Sequence, residues 1–324
     1  MTTTEDGRRP LITVLGASGF IGSAVVSALA RRPVRLRLVS RRAGTPAPAG
    51  ESVRARTEVV RTDLGVPGAL AEAAAGSDAV IHLVAHTTGT GNWRAAGSDP
   101  SARHLNEGLV HELIDAVRAE GRPGPPPVVL FAGTAHSPGA APPTEPYRLQ
   151  KLAAERALAE ATADGVLRGV TLQLTTVFGD SPGASAGAGR GVVSAMIRRA
   201  LAGLPLTMWH DGGVERDLLY VRDAADAFPA ALDHAAGLAG RSWAVGSGAA
   251  EPFGGVLRTI AELVSLHTGR PPVPVVTVEP PAYATAADFQ HVRVDPGPFG
   301  SVTGWRPGAV LRDALDRTIR KETS

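Results

Sequence analysis

Two residue types that are scarce in this chain stand one helical turn apart. Its 324 residues include three tyrosines and, among 33 basic residues, only two lysines, Lys151 and Lys321. Tyr147-Arg-Leu-Gln-Lys151 opens a stretch that reads as helix from Tyr147 to Asp164. The i, i+4 spacing sets both side chains on one helical face. A free phenol has a pKa near ~10, so it is a poor acid or base at neutral pH unless a nearby cation favours the phenolate. Lys151 would supply that cation and give Tyr147 acid–base chemistry. A hydroxyl at the end of the preceding strand would complete the site by holding a carbonyl oxygen, and Val128-Val-Leu-Phe-Ala-Gly-Thr134 places Thr134 there. The plainer alternative is a surface helix pair. Lys321 reads as part of the terminal tail.

A second constellation suits a phosphate. Gly16-Ala-Ser-Gly19-Phe-Ile-Gly22 lies between an apolar strand and an apolar helix. Glycines permit the tight turn and the close approach of backbone N–H groups, and the helix N-terminus adds partial positive charge. Gly16, Ser18, Gly19, Phe20, Ile21 and Gly22 are the predicted cofactor-binding residues of this turn. The next strand ends Val39-Ser40-Arg41-Arg42, with no Asp or Glu nearby. An acid at this place reads a ribose 2′-hydroxyl, whereas arginine suits a 2′-phosphate. NADP(H) is therefore the expected cofactor, with Arg41 and Arg42 as clamps and Ser40 assisting; Arg42 reads equally as a solvated end-of-strand charge. Asp63 and Leu64, after the third strand, either contact the adenine edge or supply a helix N-cap.

The elements that must position these groups are legible as alternating strands and helices. Strands read at Leu11–Leu15, Val34–Leu38, Glu58–Val60, Ala79–Val84, Val128–Ala132 and Val170–Leu174. Helices read at Gly22–Arg31, Gly68–Ala75, Ser101–Glu120 and Tyr147–Asp164. That alternation argues for an α/β fold with a Rossmann-type doubly wound parallel sheet. After Gly179 comes a small-residue loop, Ser181–Gly191, which reads as a linker or a flap over a ligand. Helices at Val192–Ala202, Asp223–His234, Gly254–Thr268 and Ala309–Arg320 follow, with extended segments at Pro205–Trp209, Asp217–Val221, Trp243–Gly246 and Pro271–Val278. The expected division is a dinucleotide domain over 10–180, rejoined by 216–247. A smaller C-terminal α/β substrate domain would take 181–215 and 248–320.

Composition excludes several classes. With 44% hydrophobic and 20% charged residues the chain is an ordinary globular one. A formal charge of +2 gives no case for a nucleic acid partner. No apolar run approaches the ~18 residues of a membrane span, and Met1-Thr-Thr-Thr-Glu-Asp6 lacks a basic n-region and an apolar h-region. No membrane partner is expected, and the expected location is the cytoplasm. Zero cysteine excludes disulfides, Cys-ligated metals and thiol catalysis; no metal is expected. Thirty-eight glycines and the dominance of Arg over Lys match the coding bias of a GC-rich genome.

From about Leu11 to Ile319 the chain resembles the extended short-chain dehydrogenase/reductase family, specifically its nucleotide-sugar epimerase/dehydratase/reductase group. The residues that carry the resemblance are Gly16–Gly22, His82-Leu-Val-Ala85, Asn106, Thr134 and Pro146-Tyr-x-x-x-Lys-Leu-Ala-Ala-Glu155. Further on they are Pro205-Leu-Thr-Met-Trp-His-Asp-Gly212, Arg216-Asp217-x-x-x-Val221-x-Asp223 and Gly304-Trp-Arg-Pro307. The resemblance implies that Leu83, Val84 and Ala85 line the cofactor and that Lys151 holds the nicotinamide ribose. It implies that Asn106 positions a water and the lysine, and that Thr134 and Tyr147 hold the sugar carbonyl oxygen. Arg216 would grip a diphosphate, or else form a structural ion pair. Val192, Leu206 and Trp209 fall on the substrate side, with Leu206–Trp209 flanking the nucleobase; Trp209 either stacks on it or packs in the core. His136 touches substrate, tunes Tyr147 or is a loop histidine, and the same readings apply to His86. A homodimer through the Ser101–Glu120 and Tyr147–Asp164 helices is implied.

The reaction is narrowed by what is missing. The family's 4,6-dehydratases carry Asp-Glu after the threonine, where this chain has Ala135-His136. The fucose-synthase type needs a cysteine, and the 4-epimerases read the ribose with an acid. The remaining expectation is NADPH-dependent reduction of the 4-keto group of a dTDP-linked 6-deoxyhexose, as in antibiotic deoxysugar pathways. The alternatives are a nucleotide-sugar 4-epimerase, a reductase of a non-nucleotide ketone, and a non-catalytic NADP-binding regulator.

Overall fold

A computed structural model describes residues 9–41, 54–86, 100–137, 143–181 and 191–323. Arg42 and positions 182–190 of the small-residue loop lie outside the described residues.

The chain begins with β1 (Leu11–Leu15), α1 (Phe20–Ala30), β2 (Arg35–Ser40), β3 (Arg56–Arg61), α2 (Ala69–Ala74) and β4 (Ala79–His82). The predicted helix over Ser101–Glu120 divides into α3 (Pro100–Arg103), one π-helical turn (His104–Gly108) and α4 (Leu109–Glu120). Then come β5 (Val128–Thr134), α5 (Pro146–Ala163), β6 (Arg168–Leu174), β7 (Thr176–Phe178), α6 (Val192–Leu201), β8 (Leu206–Met208) and β9 (Glu215–Tyr220). The last part holds α7 (Val221–Asp233), α8 (Ala235–Leu238), β10 (Arg241–Val245), β11 (Ala250–Pro252), α9 (Phe253–Thr268) and β12 (Val275–Thr277). A 3-10 turn (Ala286–Phe289), α10 (Gly297–Thr303) and α11 (Leu311–Thr323) close it. Lys321 thus lies on α11 rather than in a loose tail, and its ammonium donates to the Ser181 carbonyl at 2.9 Å.

Seven strands form one parallel sheet in the order β10-β6-β5-β4-β1-β2-β3. Chain direction along the sheet reverses between β1 and β4, the place where doubly wound folds bind ligands beyond the strand ends. Both faces of the inner strands are covered, which explains why those strands read as near-continuous apolar runs, while β3 at the edge is mostly exposed. Ile12, Val14, Leu36, Leu38, Ile81 and Leu130 point into one core. Leu15, Val39, Val80, Val129 and Phe131 point into the other, beneath α2, α4 and α5. β9 pairs with β7 and β11 in a three-stranded sheet, and β8 pairs with β12. β10, predicted as a returning strand, pairs with β6.

Candidate functional site

The glycine turn is tight because its own backbone leaves no room. Gly16 has φ +83, a conformation that L side chains rarely adopt. A Cβ there would also meet Leu83 and Val84 backbone atoms at 3.2–3.3 Å, so the turn rests directly on the chain leaving β4. A Cβ on Gly22 would collide with the Gly16 carbonyl. The Gly16 and Ala17 N–H groups both donate to the Val39 carbonyl, at 3.0 and 3.1 Å, which ties the turn to β2. Among the described residues no side chain caps α1, so its first-turn N–H groups are placed to meet an anion. The turn and the start of α1, Ser18 to Ile21, thus lie beside the chain leaving β4 at Leu83 and Val84. Ser40 is buried and Arg41 exposed, side by side at the end of β2.

Asp63 and Leu64 behave differently. Asp63 accepts the Gly65 N–H at 3.0 Å in a turn, while α2 begins later with Gly68 at its N-cap; Asp63 is not that cap. The Leu64 side chain is buried in the core under α2 and α4, so only its backbone can reach a ligand.

Parallel register brings the acid–base candidates to the same end of the sheet. Leu15 pairs with His82, and His82 with Phe131, so β1 and β4 finish level and β5 runs on past them to Thr134. Thr134 ends β5, and its hydroxyl is hydrogen-bonded to that of Tyr147 in the first turn of α5. Burial raises the Tyr147 phenol above its ordinary value, and the Thr134 hydrogen bond works in the opposite direction. Lys151 is buried beneath it. Its ammonium donates to the Ala132 carbonyl at 3.1 Å and sits 4.3 Å from the Phe131 ring centre. Desolvation lowers Lys151 to about 8, against an upward pull from Glu155. The expected lysine-driven lowering of the phenol is thus not what sets Tyr147, because the ammonium is turned toward β5.

Asn106 is buried in the π-helical turn, a feature frequent at functional positions. Its Oδ1 accepts the His86 N–H at 2.8 Å and its Nδ2 donates to Gln150 Oε1 at 2.9 Å. It therefore braces the loop after β4 against α5 beside Lys151, rather than touching the lysine. His86 is half-buried and His136 exposed.

The predicted substrate residues separate into two groups. Val192 is exposed at the start of α6. Trp209 is half-buried and packs edge-to-face on the exposed Tyr283, with ring centres 5.8 Å apart. Leu206, by contrast, is wholly enclosed in the core and presents no surface to a ligand. Arg216 donates to the carbonyls of Gln290, Asp288 (2.5 Å) and Glu215 (3.2 Å). In this conformation its fork clips the 3-10 turn to β9.

Three buried groups carry no role in the sequence reading: His82, Gln150 and Glu155. Glu155 had a usable signal, since it follows Lys151 by one helical turn. Asp217 is a fourth, wholly buried and accepting from Thr175 Oγ1, the Ser247 N–H and hydroxyl, and the Gly248 N–H at 2.7–3.1 Å.

A doubly wound sheet with a glycine turn at its switch point and a Tyr/Lys pair on the helix after β5 defines a dinucleotide-dependent enzyme class. Residues 12–246 match the model of the NAD dependent epimerase/dehydratase family, and the chain is an enzyme of that family. The 2'-dehydrokanamycin reductase of Streptomyces kanamyceticus is 32% identical over 230 residues, 69% of this chain but only 57% of that protein. The epimerase Mth375 of Methanothermobacter thermautotrophicus superposes with TM-score 0.80 at 18% identity, over 97% of this chain and 92% of its own. MoeE5, solved with UDP-glucuronic acid and NAD, superposes with TM-score 0.74 at 25% identity, over 97% and 99% of the two chains. Among the described residues no helix is long and apolar enough to cross a membrane.

Proposed function

We propose that the protein is an NADPH-dependent ketoreductase that reduces the 4-keto group of a dTDP-linked 6-deoxyhexose. The observation that carries the reductase reading is the Tyr147–Thr134 hydroxyl pair above buried Lys151, at the sheet end shared with the glycine turn. The residues fit a dinucleotide: the turn offers N–H groups to a pyrophosphate, and the exposed Arg41 at the end of β2 is a cation suited to a 2′-phosphate. When bound, the reduced nicotinamide supplies the hydride. Thr134 holds the substrate carbonyl oxygen, Tyr147 donates a proton to that oxygen, and Lys151 steadies the ribose. A phenol kept above its ordinary pKa by burial is protonated at neutral pH, the state a reduction needs. In this reading 10–180 with 216–247 holds the dinucleotide, 181–215 with 248–320 holds the sugar, and the chain works as a homodimer through α4 and α5.

The test is NADPH oxidation with dTDP-4-keto-6-deoxyhexoses, with and without Tyr147→Phe. Sugar interconversion without net NADPH loss would instead indicate a 4-epimerase. A second reading, reduction of a ketone on a sugar that carries no nucleotide, is favoured by two observations. Arg216 is engaged with backbone carbonyls, and the curated relative is named for a dehydro-aminoglycoside. For that reading dTDP leaves the melting temperature unchanged, while a free keto-aminoglycoside consumes NADPH.

A further inference from the structure

Lys151 and Glu155 share one face of α5, one turn apart, and both are buried, at 3% and 7% exposure. The Glu155 carboxylate is fixed from two strands of the main sheet. Its Oε2 accepts from Gln173 Nε2 of β6 at 2.7 Å and from Ser242 Oγ of β10 at 3.0 Å. Oε1 is buried and has no hydrogen-bond partner among the described residues. It lies against Gly133, where any Cβ would collide with it. Gly133 stands between Ala132, whose carbonyl receives the lysine proton, and Thr134, the partner of Tyr147. A missing side chain on β5 thus makes space for a carboxylate directly behind the reactive strand end. Two neutral donors hold one oxygen, and the other lies buried against Gly133, next in sequence to the residue whose carbonyl takes the lysine proton.

We propose that Glu155 is a positioning residue for Lys151, holding its ammonium charged and aimed at the end of β5 through a carboxylate anchored by Gln173 and Ser242. The inference rests on the role given above to Lys151 in the reaction. The groups facing the pair are few. His82 of β4 faces Lys151, and burial keeps it neutral at neutral pH. His136, after β5, acts on Glu155. Tyr147 lies one turn before the lysine on α5, and Gln173 and Ser242 are neutral. Burial by itself pushes Lys151 down, and Glu155 is the group that pulls it back. The Glu155 carboxyl is in turn raised by burial and held down by Gln173, Ser242, Lys151 and His136.

The chain's two lysines make a direct test practical. In protein labelled with lysine carrying nitrogen-15 at Nζ, NMR gives one signal from each lysine, and Lys321→Arg assigns the pair. The titration midpoint of Lys151 is read in the parent, in Glu155→Gln and in Glu155→Asp, without cofactor or substrate. Loss of a buried opposite charge lowers the midpoint by about 1 unit or more in Glu155→Gln, and by less in Glu155→Asp. An unchanged midpoint in Glu155→Gln overturns the proposal. If that variant does not fold, an unchanged midpoint in Glu155→Asp overturns it. The basic limb of kcat/KM against pH is then measured on the same proteins. A limb that moves with the midpoint supports the proposal together with the role of Lys151. A midpoint that moves while the limb stays fixed upholds the coupling and overturns the role of the lysine in the reaction.

Discussion

His82 offers a quantitative test of how dry the core beneath the site is. The ring ends β4, is wholly buried, packs edge-to-face on Phe131 at 5.5 Å, and has no partner for either nitrogen among the described residues. Burial first, and the charge of Lys151 second, lower its pKa from 6.5 to about 3, against a weaker opposing contribution from its own backbone. The sign follows from linkage. Between the folded and unfolded values the unfolded chain binds the extra proton, so stability is full above about pH 6.5 and is lost as the pH falls toward 3. At about 1.4 kcal/mol per unit, moving from about pH 7 to about pH 5 removes about 2 kcal/mol through this ring alone. The assay is urea unfolding at both pH values, followed by tryptophan fluorescence, for the parent and for His82→Leu. Any packing cost of leucine is the same at both pH values and cancels in the difference. The parent should lose about 2 kcal/mol more than the variant on acidification. Parallel losses would refute the reasoning and mean that the ring is hydrated or protonated in the folded protein.

Four further outcomes are expected. Tyr147→Phe abolishes turnover while the NADP dissociation constant, measured by calorimetry, changes by less than about threefold, because only the reactive hydroxyl is lost. Replacing Arg41 with Ala lowers the ratio of kcat/KM for NADPH over NADH by about tenfold or more, since one charge-assisted phosphate contact is removed; an unchanged ratio dismisses the clamp. Gly22→Ala collides with the Gly16 carbonyl, so it folds with a displaced turn or not at all, and dinucleotide binding read by fluorescence is lost in either case. Asp217→Asn leaves buried N–H donors facing an amide and lowers unfolding free energy by about 1–3 kcal/mol in urea titration.

What the sequence makes legible here is local. A glycine turn between a strand and a helix needs only a few neighbours to be recognised, and parallel strands buried on both faces announce themselves as apolar runs. The π-helical turn is not legible, because His104-Leu-Asn-Glu-Gly108 has no composition that separates it from ordinary helix. Three-residue strands such as β7 and β11 carry too few positions for a period to show. Leu206 shows the converse. Read as a nucleobase contact by resemblance, it lies on the inward phase of β8, and one residue of register decides which side chain faces out. Arg216 depends on acceptors more than 70 residues along the chain, and Asn106 on Gln150, 44 residues away. No local pattern encodes such partners.

Burial is the quantity that turns a readable spacing into chemistry. Tyr147–Lys151 and Lys151–Glu155 have the same i, i+4 separation, and on an exposed helix either pair would contribute only about 0.2–0.5 kcal/mol. Here the lysine and the glutamate are buried, and the helix turns them toward the sheet instead of toward water. Desolvation then moves both groups away from their ordinary values, the lysine down and the carboxyl up, so each becomes sensitive to the other's charge. The same burial raises the tyrosine and keeps its proton in place at neutral pH. One physical cause, desolvation, thus moves all three groups of this helix, the phenol and the carboxyl up and the ammonium down.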